Sequence, residues 1–163
     1  MSGRIKTTML SSRRGSARLA AVQALYQLDL SPAAVESVIA EFIAERLGKE
    51  VDGEMYRQAD PHWFAEVVRG CSQKIDDIDR ELAAMLTRDQ AIKRLEPLLR
   101  ATLRAAAFEL MARPDVPARV AIDEYIEVAR AFFGPMESAL VNGVLDKLAR
   151  KLRPGELEPA KSE

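Results

Sequence analysis

The sequence predicts an all-α fold, and three observations carry that expectation. Ala, Leu, Glu and Arg dominate the 163 residues. Apolar residues recur at spacings of three and four, the period of one face of a helix. Alternating β-branched runs bounded by turn residues, which would signal half-buried strands, are missing. The length fits a single domain, long enough to bury roughly two thirds of the surface its unfolded chain exposes.

The elements follow in order. Ser16 is positioned to cap a first helix running to Leu28, with Leu19, Val22, Leu25, Tyr26 and Leu28 as its apolar stripe. Ser31 and Pro32 form a cap and first-turn pair for a second helix, whose Val35, Val38, Ile39, Phe42, Ile43 and Leu47 make one face before Gly48 stops it. Lys49 to Ala59 is polar, holds Gly53 and reads as a connecting loop. Asp60 and Pro61 repeat the cap signal and open a third helix to about Ile75. A short fourth helix is expected over Ile78 to Leu86, followed by a turn at Thr87 to Gln90. The fifth begins near Leu95, and Leu99, Leu103, Ala106 and Leu110 share a face. Its small residues Ala101, Ala105, Ala106 and Ala107 allow close helix approach, which predicts a central core helix. Pro114 and Pro117 bracket a rigid link, after which Ile122, Tyr125, Ile126, Ala129 and Phe133 restart the stripe. Gly134 and Pro135 break it. A closing helix carries Leu140, Val141, Val144, Leu145, Leu148 and Leu152 and ends before Pro154. The domain is expected over residues 13–153, between a flexible basic leader, 1–12, and a disordered tail, 154–163.

The formal net charge of −1 conceals an asymmetry. Residues 1–28 hold five basic groups, Arg4, Lys6, Arg13, Arg14 and Arg18, and no acid; the remainder holds 19 basic residues against 25 acids. A basic segment on an acidic body points to a polyanion, whose condensed counterions such residues would release on binding. The alternative from charge alone is a solvated leader.

The sequence argues against several other chemistries. Cys71 is the only cysteine, so no intrachain disulfide can form, and a buried inert thiol is expected. His62 is the only histidine, which removes multi-histidine metal sites; its place beside Asp60 suits a helix start. Asp76, Asp77 and Asp79 lack the longer alternating ligand series of a calcium loop. The eight glycines are scattered and form no phosphate-binding loop, so no nucleotide cofactor is expected. Asp123, Glu124 and Glu127 read as a solvated face, and Phe132 and Phe133 as core. No catalytic, metal or cofactor site is predicted. The amino terminus lacks the apolar core of a signal peptide and no window approaches a membrane span, which places the protein in the cytoplasm as an expectation.

Two segments also carry a resemblance. RRGSARLAAVQALY, Arg13 to Tyr26, and LLRATLRAAAFELMARPDVPARVAIDEYIEVARAF followed by VNGVLDKLA, Leu98 to Ala149, resemble the NusB family of bacterial transcription antitermination factors. The resemblance implies a bundle of about seven helices in two packed halves, with no enzymatic activity. It implies boxA-like single-stranded RNA and the ribosomal protein NusE as partners, within an RNA polymerase antitermination complex on ribosomal RNA operons. Some family members are thought to form homodimers. Carried over residue by residue, it implies RNA contacts from Arg13, Arg14 and Arg18, with Gln23 and Tyr26 on the same helix. It also brings Val141, Asn142 and Gly143 beside the RNA, with Lys147 and Arg150 extending the positive field. Guanidinium groups suit the role, since they grip phosphates in pairs of hydrogen bonds and stack on unpaired bases. Asn142 has two open readings, a base-edge contact and a packing role.

The chain departs from the family pattern at Gly15 and Ser16, where an arginine run commonly continues, and at Asp123, where Asn is usual. It departs again over Met136 to Leu140, where Ala139 and Leu140 replace a lysine and an aromatic residue. Two competing readings are a self-associating helical interaction module without strong RNA binding and the accessory domain of an RNA methyltransferase. The second would require a cofactor-binding domain after Lys151.

Overall fold

The computed structural model describes residues 12–48, 50–51, 54–55, 59–87 and 91–157. Helix α1, Arg13–Leu30, begins one turn earlier than Ser16 suggests. Ser12 is in an extended conformation, and its hydroxyl accepts from the Gly15 N–H at 2.9 Å. Ser16 is already inside the helix, buried, with its own N–H donating to the Ser12 carbonyl. Helix α2, Val35–Glu45, likewise starts after Ala34, with no side-chain cap, so Ser31 and Pro32 are the link and not the start. Within the expected loop, Glu50–Val51 and Glu54–Met55 pair as a two-residue antiparallel ladder, with Glu50 opposite Met55.

After this point the proline-marked starts fall close to where the sequence places them, while the α3–α4 junction shifts. Asp60 caps α3, Pro61–Gln73, by accepting from the N–H groups of His62 and Trp63. Lys74 ends α3 and begins α4, Ile75–Met85, so α4 starts three residues before Ile78 and α3 stops short of Ile75. A short 3₁₀ turn, Ile92–Arg94, leads to α5, Pro97–Ala112, whose Leu98 N–H is capped by the Glu96 carboxylate. Helices α6, Ala118–Phe132, and α7, Pro135–Leu152, complete the chain of elements. Residues 1–11 of the expected leader 1–12, residues 49, 52–53 and 56–58 of the expected loop, the turn residues 88–90 and residues 158–163 lie outside the described residues.

Helix α5 is the centre. It packs against α1, α3, α4, α6 and α7, and its alanines at 101, 105, 106 and 107 are buried. One half is formed by α1, α2 and α3 packed together; α6 and α7 lie against each other and α5 in the second half, with α4 against α5 and α7. Phe42 of α2 and Phe64 of α3 stack at 5.4 Å between ring centroids. Burial of each such side chain is worth about 1.5–3 kcal/mol. Helices α3 and α5 approach closely at Gly70, where a β-carbon would clash with the Phe108 ring.

Beyond α7, the described residues 153–157 make contacts with the bundle. Arg153 donates to the Glu109, Leu110 and Arg113 carbonyls, satisfying the free end of α5. Glu156 accepts from the Ala118 N–H at the start of α6, and Leu157 is buried. Cys71 is buried as expected, and burial pushes its thiol up to about 12.

Candidate nucleic-acid interface

The start of α1 carries the densest set of predicted site residues. Arg13 and Arg14 occupy its first turn, both exposed, with no acid in that turn. Positive charge at a helix amino terminus opposes the helix dipole, costing about 0.3–1 kcal/mol per charge, so its presence there calls for a reason other than stability. Two exposed guanidinium groups at this end of the helix favour an anion there. The Arg13 carbonyl accepts from the Asp60 N–H at 3.0 Å, which fixes the starts of α1 and α3 side by side.

Trp63, the third residue of α3, is 4% exposed and lies at the centre of three guanidinium groups. The Arg14 Cζ is 3.8 Å from its ring centroid, that of Arg113 4.4 Å and that of Arg18 5.4 Å. Arg113 is matched by acids, through two hydrogen bonds to Asp115 and an ion pair with Glu66. The hydrogen bonds from Arg113 hold the Asp115 carboxyl down at about 2, and the charge of Arg14 adds to that effect. Among the described residues, neither Arg13 nor Arg14 has a carboxylate at salt-bridge distance.

Arg18 differs, and its place corrects the expectation that it shares the arginine surface. Its side chain is 3% exposed. Its Nε and Nη2 donate to the two oxygens of Glu109 at 2.8 and 2.9 Å, and its Nη1 to Glu124 at 3.0 Å. Glu109 is fully buried and also accepts from the Tyr125 hydroxyl at 2.6 Å and the Trp63 indole N–H at 3.4 Å. Burial acts to lower the Arg18 pKa, but hydrogen bonding and charge from Glu109 outweigh it and hold it above the usual value. Burial raises the Tyr125 hydroxyl well above its usual range, with the Glu109 charge adding to it. Burial also raises the Glu124 carboxyl despite Arg18. Arg18 is therefore fixed inside the molecule. Glu109 is missing from the sequence expectations, although a carboxylate inside the apolar run AAAFEL was a visible anomaly.

The other predicted residues divide between two helices. Gln23 is half-buried on α1, and Tyr26 is half-buried against the core. Asn142 and Lys147 are exposed on α7. Asn142 lines an open groove of about 480 Å³ with Ile126, Arg130, Phe133, Ser138 and Ala139, beside Met136, which is 84% exposed. Arg150 pairs with Asp146 one turn away. Helices α1 and α7 each pack against α6, and no hydrogen bond, ion pair or ring contact among the described residues joins Arg13 or Arg14 to Asn142 or Lys147. The described residues hold no cluster of three or more metal-binding side chains, and no helix is long and apolar enough to cross a membrane.

Comparison with known proteins adds to this geometry. The NusB family model matches residues 15–150. The chain is 50% identical over 151 residues to the transcription antitermination protein NusB of Brucella ovis, covering 93% of this chain and 88% of that one. It is 48% identical over 143 residues to the protein of the same name from Agrobacterium fabrum, covering 88% and 87%. Among solved structures, T. maritima NusB superposes with a TM-score of 0.72 at 28% identity, covering 88% of this chain and 94% of that one. A crystal structure of NusB and NusE with dsRNA matches in fold, with a TM-score of 0.70 at 21% identity, over 85% of this chain and 97% of that one.

Proposed function

The chain belongs to the NusB family, and from that premise we propose that it is a transcription antitermination factor. In this reading it binds boxA-like single-stranded RNA jointly with the ribosomal protein NusE and supports processive transcription of ribosomal RNA operons by RNA polymerase. It works as an adaptor in the cytoplasm and performs no catalytic step. The observation that carries the reading is the pair of exposed arginines at the start of α1, set against the helix dipole with no carboxylate at salt-bridge distance among the described residues. Arg13 and Arg14 take phosphates, Asn142 offers an amide to a base edge, and Lys147 extends the positive field. Gln23 and Tyr26 flank the track, while Arg18 holds the helix that presents it. Few cationic contacts make for weak RNA binding alone, and NusE raises it by adding a second surface to the same complex.

The test is a fluorescence-anisotropy titration with a boxA-like strand, a scrambled strand and the corresponding duplex, with and without NusE, at two salt concentrations. The expected result is binding selective for the boxA-like single strand, weakened by salt and strengthened by NusE. Equal binding of all three RNAs, or no binding with NusE present, overturns the reading. Light scattering in parallel distinguishes it from a self-associating module, for which the mass would double without RNA or NusE.

A further inference from the structure

We propose that Trp63 is a positioning residue that holds the Arg14 guanidinium in place for the RNA; the assignment rests on the RNA-binding reading above. An exposed arginine on α1 would ordinarily sample many rotamers and lose that freedom on meeting a ligand. Arg14 does not stand free in this way, since its guanidinium carbon lies 3.8 Å from the indole centroid, within stacking distance. The indole is itself fixed from several directions. Its backbone N–H donates to the Asp60 carboxylate at 3.1 Å, its Nε1–H points at Glu109, and it is buried at the start of α3.

The other two guanidinium groups near the ring are already matched. Arg18 is held by Glu109 and Glu124, and Arg113 by Glu66 and Asp115. The Asp115 carboxylate feels the charge of Arg14 but accepts its hydrogen bonds from Arg113. Arg14 is thus the exposed member of the cluster, with no carboxylate partner among the described residues, and its donors are available to a phosphate or a base. A cation fixed in this way binds with less ordering cost than its neighbour Arg13, which stacks on no ring among the described residues. The three elements α1, α3 and α5 therefore cooperate to aim one side chain.

The experiment compares two substitutions that leave the core untouched, using a boxA-like RNA with NusE. Arg14→Lys and Arg13→Lys both keep the charge and remove the planar fork, but only the first gives up a stacking partner. Arg14→Lys is expected to weaken binding about twofold more than Arg13→Lys, since the lysine ammonium keeps part of the cation–π attraction to the indole but loses the planar stack that fixes the fork. Equal losses overturn the proposal. A second arm places Trp63→Leu in three backgrounds. It is expected to weaken binding in the wild-type and Arg13→Ala chains and to have little further effect in Arg14→Ala, with Trp63→Phe recovering much of the affinity. Equal losses in all three backgrounds mean that Trp63 acts only through stability, and the assignment fails while the RNA reading stands. A wild-type chain that binds no RNA with NusE removes both.

Discussion

Arg14 and Arg18 lie one turn apart on the same face of α1 and close to the same indole ring, yet they occupy opposite environments. The first is exposed and the second is 3% exposed. Residue type and spacing are shared, so neither explains the difference. The depth of the surrounding packing does: α3, α5 and α6 enclose Arg18 with two carboxylates and a phenol, whereas the chain around Arg14 opens to solvent. An arginine cluster in a sequence is therefore two kinds of object, a ligand-facing charge and an internal tie, and only the acids brought in from distant parts of the chain sort them.

That contrast yields predictions that run from the largest effect on stability to the smallest. Glu109→Gln leaves the Arg18 charge buried without its main partner, and urea unfolding should register a loss of about 3–5 kcal/mol. Combining Arg18→Met and Tyr125→Phe with Glu109→Leu should recover part of it, because the buried ions and the hydroxyl bonded to them are then replaced together by apolar groups of similar volume. A loss below about 1 kcal/mol for Glu109→Gln would dissolve the distinction between the two arginines. Tyr125→Phe removes a single donor to the same carboxylate and is expected to cost about 2 kcal/mol, as hydrogen bonds to charged groups do.

Replacing both Arg13 and Arg14 by Ala should leave the unfolding free energy within about 0.5 kcal/mol of wild type, the usual range for surface changes. RNA affinity should fall, and the slope of log affinity against log salt should flatten by about 0.7 for each phosphate no longer neutralised. Unchanged RNA binding in this double variant would remove the surface arginines from the interface. The smallest effect is at Asp115. Its carboxyl is depressed in the folded state to about 2 from an ordinary 3.8, so its contribution to stability is present above about 3.8 and is lost as pH falls towards 2. Carbon-detected NMR titration should show that midpoint in the wild type and its return towards the ordinary value in Arg113→Met.

The helix order was legible because the chain punctuates it with residues whose effect is local. Asp60 with Pro61, the Pro114 to Pro117 link and Gly134 with Pro135 all mark real boundaries. Competing signals misled at the other starts. Ser16 was read as the cap of α1, and the structure places the cap one turn earlier, at Ser12, whose backbone is extended. Arg18 was open to a better reading, because it falls on one stripe with Val22 and Leu25, four and seven residues on. Glu109 could be flagged as an anomaly but not assigned, since its partners are 91, 46 and 16 residues away in the chain. The groove beside Asn142 is a property of how α6 meets α7 and has no signature in either segment alone.

Trp63 is the only tryptophan in the chain, which gives the molecule a built-in spectroscopic label. Its indole touches the internal carboxylate network on one side and an exposed arginine on the other. Excitation near 295 nm, a wavelength selective for indole in general, would therefore follow two processes through one fluorophore. A change in emission on unfolding reports the opening of the interior around Glu109, and a change on ligand addition under native conditions reports what happens at Arg14. No dye need be attached at either place.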